Sequence, residues 1–344
     1  MLLGDYMLKE KQLIEYLDPT YLYIPITYNN YKSNTYINKL DKITNALDII
    51  YFPISGNIIK TTYKLNSKNK NELYLVIKND FKEKTIYNKK YNLPNIDKKQ
   101  NILIINAYDL EPFITYNNNL IKNYAQNLLE TIDYIMEKNK INQTLIMTKD
   151  KDKIYFNNYL GTYPNIKLTS LTYKNSIPLN SIYNTYLYLK YQKPIITKII
   201  NIITPKHNLN IKVKLGTLLK DILIKFNLYQ DIDNNFLLII NSCINGNNIK
   251  NDNLVITSDI NSIIFIKNNF QKTTTCIKCG KCYEICPVNL IPIYIVKYID
   301  NSKKLKKLIP NKCIECGLCS FVCPSKIELL EHIKIAKERI KNEL

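Results

Sequence analysis

Eight of the nine cysteines fall in two runs of identical spacing. The first is Cys276, Cys279, Cys282 and Cys286, closed by Pro287; the second is Cys313, Cys316, Cys319 and Cys323, closed by Pro324. Only Cys243 lies outside them. Thiolates are soft ligands for iron and zinc. Structural zinc sites use their four cysteines as separated Cys-x-x-Cys pairs. A disulfide framework needs an oxidising compartment and a small secreted chain. Neither pattern matches three thiols at two-residue gaps with a fourth before a proline.

That spacing is the one found in two-cluster ferredoxins, where each 4Fe-4S cluster takes three thiolates from one run and the fourth from the other. It implies one cluster on Cys276, Cys279, Cys282 and Cys323, and a second on Cys313, Cys316, Cys319 and Cys286. Three thiolates wrap one group only if the loop turns tightly. Gly280 and Gly317 hold the same place in each run, where they permit positive φ and let backbone N–H groups approach sulfur. Ile277 and Ile314 match too and can supply apolar cover. The prolines end one conformation and allow a helix to start.

The elements that must position these loops differ along the chain. Residues 1–19 read as a short amphipathic helix ending at Asp18-Pro19. Strand-like pieces follow at 21–26, 49–52, 58–62 and 73–77, with a turn at Pro53-Ile54-Ser55-Gly56-Asn57. Residues 78–100 are polar and lysine-rich, a loop or linker. Ile102–Ile105 is an unbroken apolar run, as buried parallel strands are. Helical periodicity over 120–138 and a second apolar strand at 144–148 make a βαβ unit. Strands at 199–204, 211–215, 236–240, 254–256 and 263–266, with Thr217 capping a helix over 218–226 and a turn at Asn245-Gly246, make an α+β unit of β-grasp type. The spacer of 26 residues between Cys286 and Cys313 is too long for the hairpin of a small ferredoxin. Residues 290–308 read as mostly helical and 327–340 as an amphipathic helix. The domains expected are 1–77, 78–195, 196–268 and 269–344.

The formal charge is +19. Nucleic-acid binding is not expected from it. Arg339 is the only arginine, whereas base edges and phosphates are read by arginine forks, and the lysines are scattered. Glycine numbers 7 where average usage gives roughly 24. The excess of Ile, Asn, Lys and Tyr looks like drift towards A/T-rich codons. No apolar run approaches the ~18 residues of a membrane span. The segment Met1-Leu2-Leu3-Gly4-Asp5 does not read as a signal peptide, so a cytoplasmic protein is expected, free or held to the membrane by partners. His207 and His332 read as surface residues, and Cys243 as a small buried hydrophobe.

The order of parts resembles the C subunit of the Rnf-type (Rsx) ion-translocating electron transport complex. The strongest likeness is the tail, Cys276-Ile277-Lys278-Cys279-Gly280-Lys281-Cys282 through Cys286-Pro287, then Cys313-Ile314-Glu315-Cys316-Gly317-Leu318-Cys319 through Cys323-Pro324. A second is Asn106-Ala107-Tyr108-Asp109-Leu110-Glu111-Pro112-Phe113, similar to the family's Asn-Gly-Ala-Glu-Cys-Glu-Pro-Tyr. Pro53-Ile54-Ser55-Gly56 is similar to its Pro-x-Ser-Gly turn.

The resemblance implies a multidomain α/β and α+β protein. Its parts would be a small lipoyl-like β domain, a Rossmann-like domain as in the complex I flavin subunit, a soluble-ligand-binding β-grasp domain and a helical dicluster ferredoxin domain. It implies a peripheral subunit on the cytoplasmic face of the inner membrane. Such a subunit partners integral membrane and peripheral subunits of its complex, exchanges electrons with NADH or a ferredoxin-like protein, and relays them through two 4Fe-4S clusters. It also implies FMN, with Asn106, Asp109 and Glu111 as its contacts; the same side chains suit a structural, loop-capping role. The sequence departs from the family at its glycine-rich cofactor loop: residues 81–94 contain no glycine, so Cβ atoms would crowd a backbone phosphate cradle. Other readings of the tail are a soluble iron–sulfur subunit of another oxidoreductase, and a basic, nonenzymatic binding protein using clusters or zinc for structure.

Overall fold

The computed structural model describes residues 14–15, 18–49, 51–68, 70–82, 101–109, 114–173, 175–192, 194–232, 236–242, 246–267 and 273–342. They fall into two compact units. The smaller holds residues 273–342 with Gly246, and the larger holds the remaining described residues.

The larger unit has three sheets and a hydrophobic core against each. Strand β1 (Ile14–Glu15) precedes β2 (Tyr21–Pro25), β3 (Tyr36–Ile37), β4 (Gly56–Leu65) and β5 (Asn71–Asn79). Strands β2 to β5 form an antiparallel sheet in the order β2-β5-β4-β3. Its core gathers Leu22, Ile24, Ile54, Ile58, Leu75 and Ile77. Gly56 begins β4 where a Cβ would stand 2.0 Å from the backbone oxygen of Lys78, so no larger residue fits there. Of the stretch 49–52, expected as a strand, the described residues 49, 51 and 52 form an isolated bridge from Tyr51 to Lys42 and no strand.

Next come β6 (Ile102–Asn106), α1 (Tyr116–Asn139), β7 (Gln143–Met147), α2 (Lys153–Leu160), β8 (Ile166–Thr169), β9 (Ile177–Pro178) and α3 (Leu179–Tyr191). The sheet is parallel throughout, ordered β8-β7-β6-β9. The apolar stripe of α1, including Leu128, Leu129 and Ile132, buries completely against it. Parallel strands covered by helices read as continuous apolar runs, which is why β6 and β7 are visible in the sequence.

The third sheet uses β10 (Thr197–Ile203), β11 (Asn208–Lys214), β12 (Phe236–Ile240), β13 (Asn247–Ile249) and β14 (Ser262–Lys267), with α4 (Leu219–Lys225) against its core. The order is β1-β11-β10-β14-β12-β13. Strand β1 pairs in parallel with β11, so positions 14–15 are strand where a helix was expected; the rest of that helix up to Leu17 lies outside the described residues. Residues 254–256 form bridges and not a strand: Leu254 meets Leu65 and Val255 meets Leu218. Thr217 does not cap α4. The cap position is Leu218, and the Thr217 hydroxyl donates to the oxygen of Lys214. Backbone pairing of Leu218 with Val255 takes precedence over side-chain capping here.

The smaller unit is helical: α5 (Lys281–Glu284), α6 (Pro292–Lys297), α7 (Ser302–Lys307), α8 (Leu318–Phe321) and α9 (Leu329–Asn342). The expected long helix over 290–308 is two. Pro292 starts α6, where its missing N–H costs nothing, and Asn301 caps α7 by accepting from the amide of Lys304. Ile295, Leu305, Leu329, Ile333 and Ala336 form the core, joined by Cys313, Cys319 and Cys323.

Candidate metal centre

The two cysteine runs fold as one loop built twice, each feature of the second lying 37 positions after its counterpart (Cys276 to Cys313). Helix α5 begins at Lys281 and α8 at Leu318, each four residues long. Helix α6 begins at Pro292 and α9 at Leu329. Even the left-handed positions repeat: Lys278 (φ 59°) with Glu315 (60°), Gly280 (80°) with Gly317 (74°), and Asn289 (54°) with Lys326 (53°). The glycines adopt the positive φ that their spacing predicts. Lys278 and Glu315 do so without being glycine, at a cost of about 1–2 kcal/mol each.

That conformation aims amides at sulfur. The N–H of Lys278 donates to Cys276 Sγ at 3.4 Å, and that of Glu315 to Cys313 Sγ at 3.3 Å. Leu290 N–H donates to Cys286 Sγ at 3.3 Å. Such bonds favour the thiolate. Burial opposes them: it raises the thiol pKa of Cys282, Cys313 and Cys316, and pushes Cys319 up to about 12. The ammonium of Lys337 works with the amides at Cys313, donating to the Cys313 carbonyl at 2.7 Å and pairing with Glu315 at 2.5 Å.

The runs also cross. Thr273 Oγ1 donates to the oxygen of Lys326 at 3.0 Å, Thr274 N to that of Ser325 at 2.9 Å, and Ser325 Oγ to that of Thr275 at 2.9 Å. These bonds hold the approach to Cys276 against the turn after Cys323. Cys282 accordingly feels Cys323 electrostatically, and Cys313, Cys316 and Cys319 feel Cys286. A small hollow is lined by Cys286, Cys313, Cys316 and Cys319, with Leu290 and Ile333 among its apolar walls. Four thiols around an apolar hollow fit a 4Fe-4S group by donor type and number. Among the described residues, no three His, Cys, Asp or Glu side chains close on a point for a single ion. Ile314 lines the cavity, whereas Ile277 is exposed.

The expected flavin contacts lie elsewhere, at the carboxyl end of β6. Asn106 Oδ1 accepts the N–H of Tyr108 at 3.0 Å. Asp109 is buried, and its two oxygens accept Asn117 N–H at 3.0 Å and Asn118 N–H at 2.9 Å, closing the first turn of α1. Burial raises its carboxyl to about 7, against the pull of those amides and of Lys149. The Tyr108 hydroxyl donates to Ser170 O at 2.9 Å, bridging from the end of β6 to the end of β8. Ser170 Oγ in turn donates to Asp150 at 2.7 Å. Both described contacts thus accept hydrogen bonds from the chain's own backbone. Glu111, and residues 83–94 of the glycine-free segment, lie outside the described residues, as does Cys243.

The two histidines meet no cysteine. His207 Nδ1 contacts the carboxylate of buried Asp231 at 2.5 Å, which also accepts from Thr204 at 2.9 Å. His332 Nδ1 lies 2.8 Å from the carbonyl of Glu328. Sequence reasoning missed Lys278 and Glu315 as left-handed positions, and Ser325 and Lys337 as supports. The first pair carries a signal, because each is the residue just before a cysteine and two before a glycine in both runs.

Residues 275–327 match the 4Fe-4S dicluster domain family. Two curated relatives are the C subunits of the ion-translocating oxidoreductase complex in Buchnera aphidicola subsp. Baizongia pistaciae (strain Bp) and in Buchnera aphidicola subsp. Acyrthosiphon pisum (strain APS). The first is 26% identical over 253 residues, 62% of this chain and 49% of that protein. The second is 28% identical over 242 residues, 59% of this chain and 51% of that protein. The likeness to Rnf-type C subunits is therefore shown, and the chain spans about half the length of these relatives. An NAD+-reducing [NiFe]-hydrogenase in the H2-reduced state is similar at a TM-score of 0.40 and 5% identity, over 71% of this chain and 55% of that one; at that score it carries no argument.

Proposed function

We propose that this chain is an electron-transfer subunit of a membrane-bound complex that couples electron transport to ion translocation. It would pass electrons through two 4Fe-4S clusters, one on Cys276, Cys279, Cys282 and Cys323 and the other on Cys313, Cys316, Cys319 and Cys286. The observation that carries the reading is the duplicated loop whose fourth cysteine reaches the opposite run, with a cavity ringed by four thiols at the second set.

The residues of the chain have distinct parts in this. The amides of Lys278, Glu315 and Leu290 bind sulfur and stabilise its anionic form. Leu290, Leu318, Leu330 and Ile333 exclude water from the second set. Bound clusters supply one-electron redox chemistry, and sulfur hydrogen bonds and burial set their potentials.

In the same reading the antiparallel sheet is the lipoyl-like domain, the parallel sheet the Rossmann-like domain and the six-stranded sheet the β-grasp domain. Together they would dock the chain to other subunits on the cytoplasmic face of the membrane. Among the described residues no helix is long and apolar enough to cross a membrane, so attachment through partner subunits suits the reading.

Iron, acid-labile sulfide and zinc analysis of anaerobically purified protein tests the clusters. About eight irons are expected, since two cubanes need four each; zinc alone would overturn the reading. Co-purification with integral membrane subunits tests the assembly. A chain that stays in the soluble fraction when the whole complex is expressed would point to a soluble oxidoreductase instead.

A further inference from the structure

Lys198 is the one charged residue of β10, a strand otherwise built of Thr, Asn and Ile, and it is only 8% exposed. It pairs with Val213 of β11 on one side. On the other side β14 joins β10 only from Asn201 onward, so the sheet is open beside Lys198 and the segment before β14 passes there instead. The ammonium donates to the carbonyl of Ser258 in that segment. Ser258 is held in turn by Asp48, whose carboxylate accepts its N–H at 2.8 Å and also its hydroxyl. One carbonyl takes one of the three N–H donors that an ammonium carries, and a cation is costly to bury on so little support. Burial accordingly lowers the pKa of Lys198 to about 8, against the pull of Asp259 and Asp48.

The amine does not face packed side chains. Lys198 lines a cavity of about 160 Å³ inside the larger unit. Its walls come from three parts of the chain: Asp48 and Ile49 ahead of β4, Asn180 and Asn184 on α3, and Lys198 and Leu215 around the third sheet. Asn180 accepts from the hydroxyl of Tyr116 through its oxygen, which leaves its NH2 as the group it can offer a ligand. An apolar cavity of about 150 Å³ takes one benzene, so the space suits roughly six heavy atoms and excludes a nucleotide. A lysine that served only to tether Ser258 would need no such space before it.

We propose that Lys198 is a reactive amine that captures a small, neutral aldehyde in this cavity as a Schiff base. The amine nitrogen attacks the carbonyl carbon, the C=O bond gives way to C=N, and the oxygen leaves as water. Written from the ammonium, Lys-NH3+ and RCHO give Lys-NH+=CHR and H2O, with no oxidant or reductant. A buried amine is suited to this because it is the neutral form that attacks. At pH 7.5 about a quarter of the Lys198 amine is neutral, against about one in a thousand for a lysine near 10.4. The protonated imine keeps both the N–H that meets Ser258 and the positive charge that faces Asp48 and Asp259. A ligand carrying its own carboxylate would add a third negative charge around one cation, which decides for a neutral carbonyl compound.

The test treats the full, metal-loaded chain anaerobically with propanal and cyanoborohydride, and peptide mass spectrometry reads which lysines become alkylated. Lys140 and Lys225, both exposed, are the internal reference. At pH 7.5 Lys198 should react at least about tenfold faster than either, with a rate that levels off above about pH 8 while theirs still climb. Asn184→Phe, which fills the cavity and leaves Lys198 in place, should slow Lys198 to the reference rate without changing Lys140, Lys225 or the iron content. Pyruvate in place of propanal should label Lys198 more slowly. Labelling of Lys198 no faster than the reference, labelling unchanged by Asn184→Phe, or faster labelling by pyruvate would each overturn the proposal. The iron–sulfur reading stands or falls separately, on iron content.

Discussion

Lys278 and Glu315 hold the same left-handed backbone conformation, φ 59° and 60°, and each turns its amide onto the sulfur of the cysteine two residues before it. They carry opposite charges, so the shared geometry comes from the loop and not from the side chain. A residue with a Cβ is strained there, and glycine would not be. Lys278→Gly and Glu315→Gly should therefore leave iron content intact and stabilise the loop, or cost nothing, within about 1 kcal/mol. Gly280→Ala, with φ 80°, should instead destabilise by about 1–2 kcal/mol from backbone strain alone; its added Cβ meets nothing nearer than Glu284 Oε1 at 3.8 Å. Chemical denaturation of the metal-loaded protein distinguishes the two signs.

The crossed pairing makes a different prediction for the fourth cysteine of each run. Cys286 lines the cavity of the second run, and Cys323 stands with Cys282. Cys286→Ser should therefore disturb the cluster of Cys313, Cys316 and Cys319 while leaving that of the first run. Iron should fall from about eight towards about four, and electron paramagnetic resonance should show one reduced cluster in place of two interacting ones. Cys286→Ser and Cys276→Ser should remove different signals. If both remove the same one, ligands are not exchanged between the runs.

The tail was the most legible part of the sequence because ligand chemistry fixes spacing, and spacing survives drift in the residues between. Strands β6 and β12 were legible for another reason: Ile102–Ile105 and Phe236–Ile240 are continuous apolar runs bounded by polar residues. What was hidden depends on distant partners. Ile14–Glu15 is a strand only because β11 offers an edge almost two hundred residues later. Leu254–Ile256 has strand composition but is engaged by bridges to Leu65 and Leu218. Thr217 has a capping residue's chemistry, yet its hydroxyl bonds to Lys214. A difference between the repeats is written in the sequence, at Tyr283 and Ser320 for example. Which of the two is exposed is not, because only the fold separates a core tyrosine from a surface one.

Flavin content follows from the end of β6. The side chain of Asn106 closes its own turn, Asp109 caps α1, and Tyr108 reaches across to Ser170. A ribityl or phosphate group meeting these residues would have to displace bonds already made to backbone, at about 0.5–1.5 kcal/mol each. Protein purified with both clusters should release well under one equivalent of flavin on acid treatment. Stoichiometric flavin, measured by fluorescence of the supernatant, would mean that Asn106 and Asp109 are not structural.

Asp109 also sets a pH dependence. Its carboxyl titrates near 7 in the fold, raised first by burial, against about 3.9 in an unfolded chain. Between those values the folded state keeps a proton that the unfolded state has released. The contribution of this group to stability is therefore complete below about pH 4, falls as pH rises towards 7 and is flat above. Asp109→Asn removes the titration while keeping one acceptor for the amides of Asn117 and Asn118. The stability of the parent relative to this variant should fall from pH 4 to 7, with a slope no steeper than about 1.4 kcal/mol per pH unit. Lys149 and Asp152 act on Asp109 as well, and the amide removes those interactions too, so the difference reports burial and these charges together. Urea titrations of the two proteins at half-unit pH intervals give the difference directly. Parallel stability curves across this range would show that Asp109 is ionised in the fold, as a carboxylate held by two helix amides alone would be.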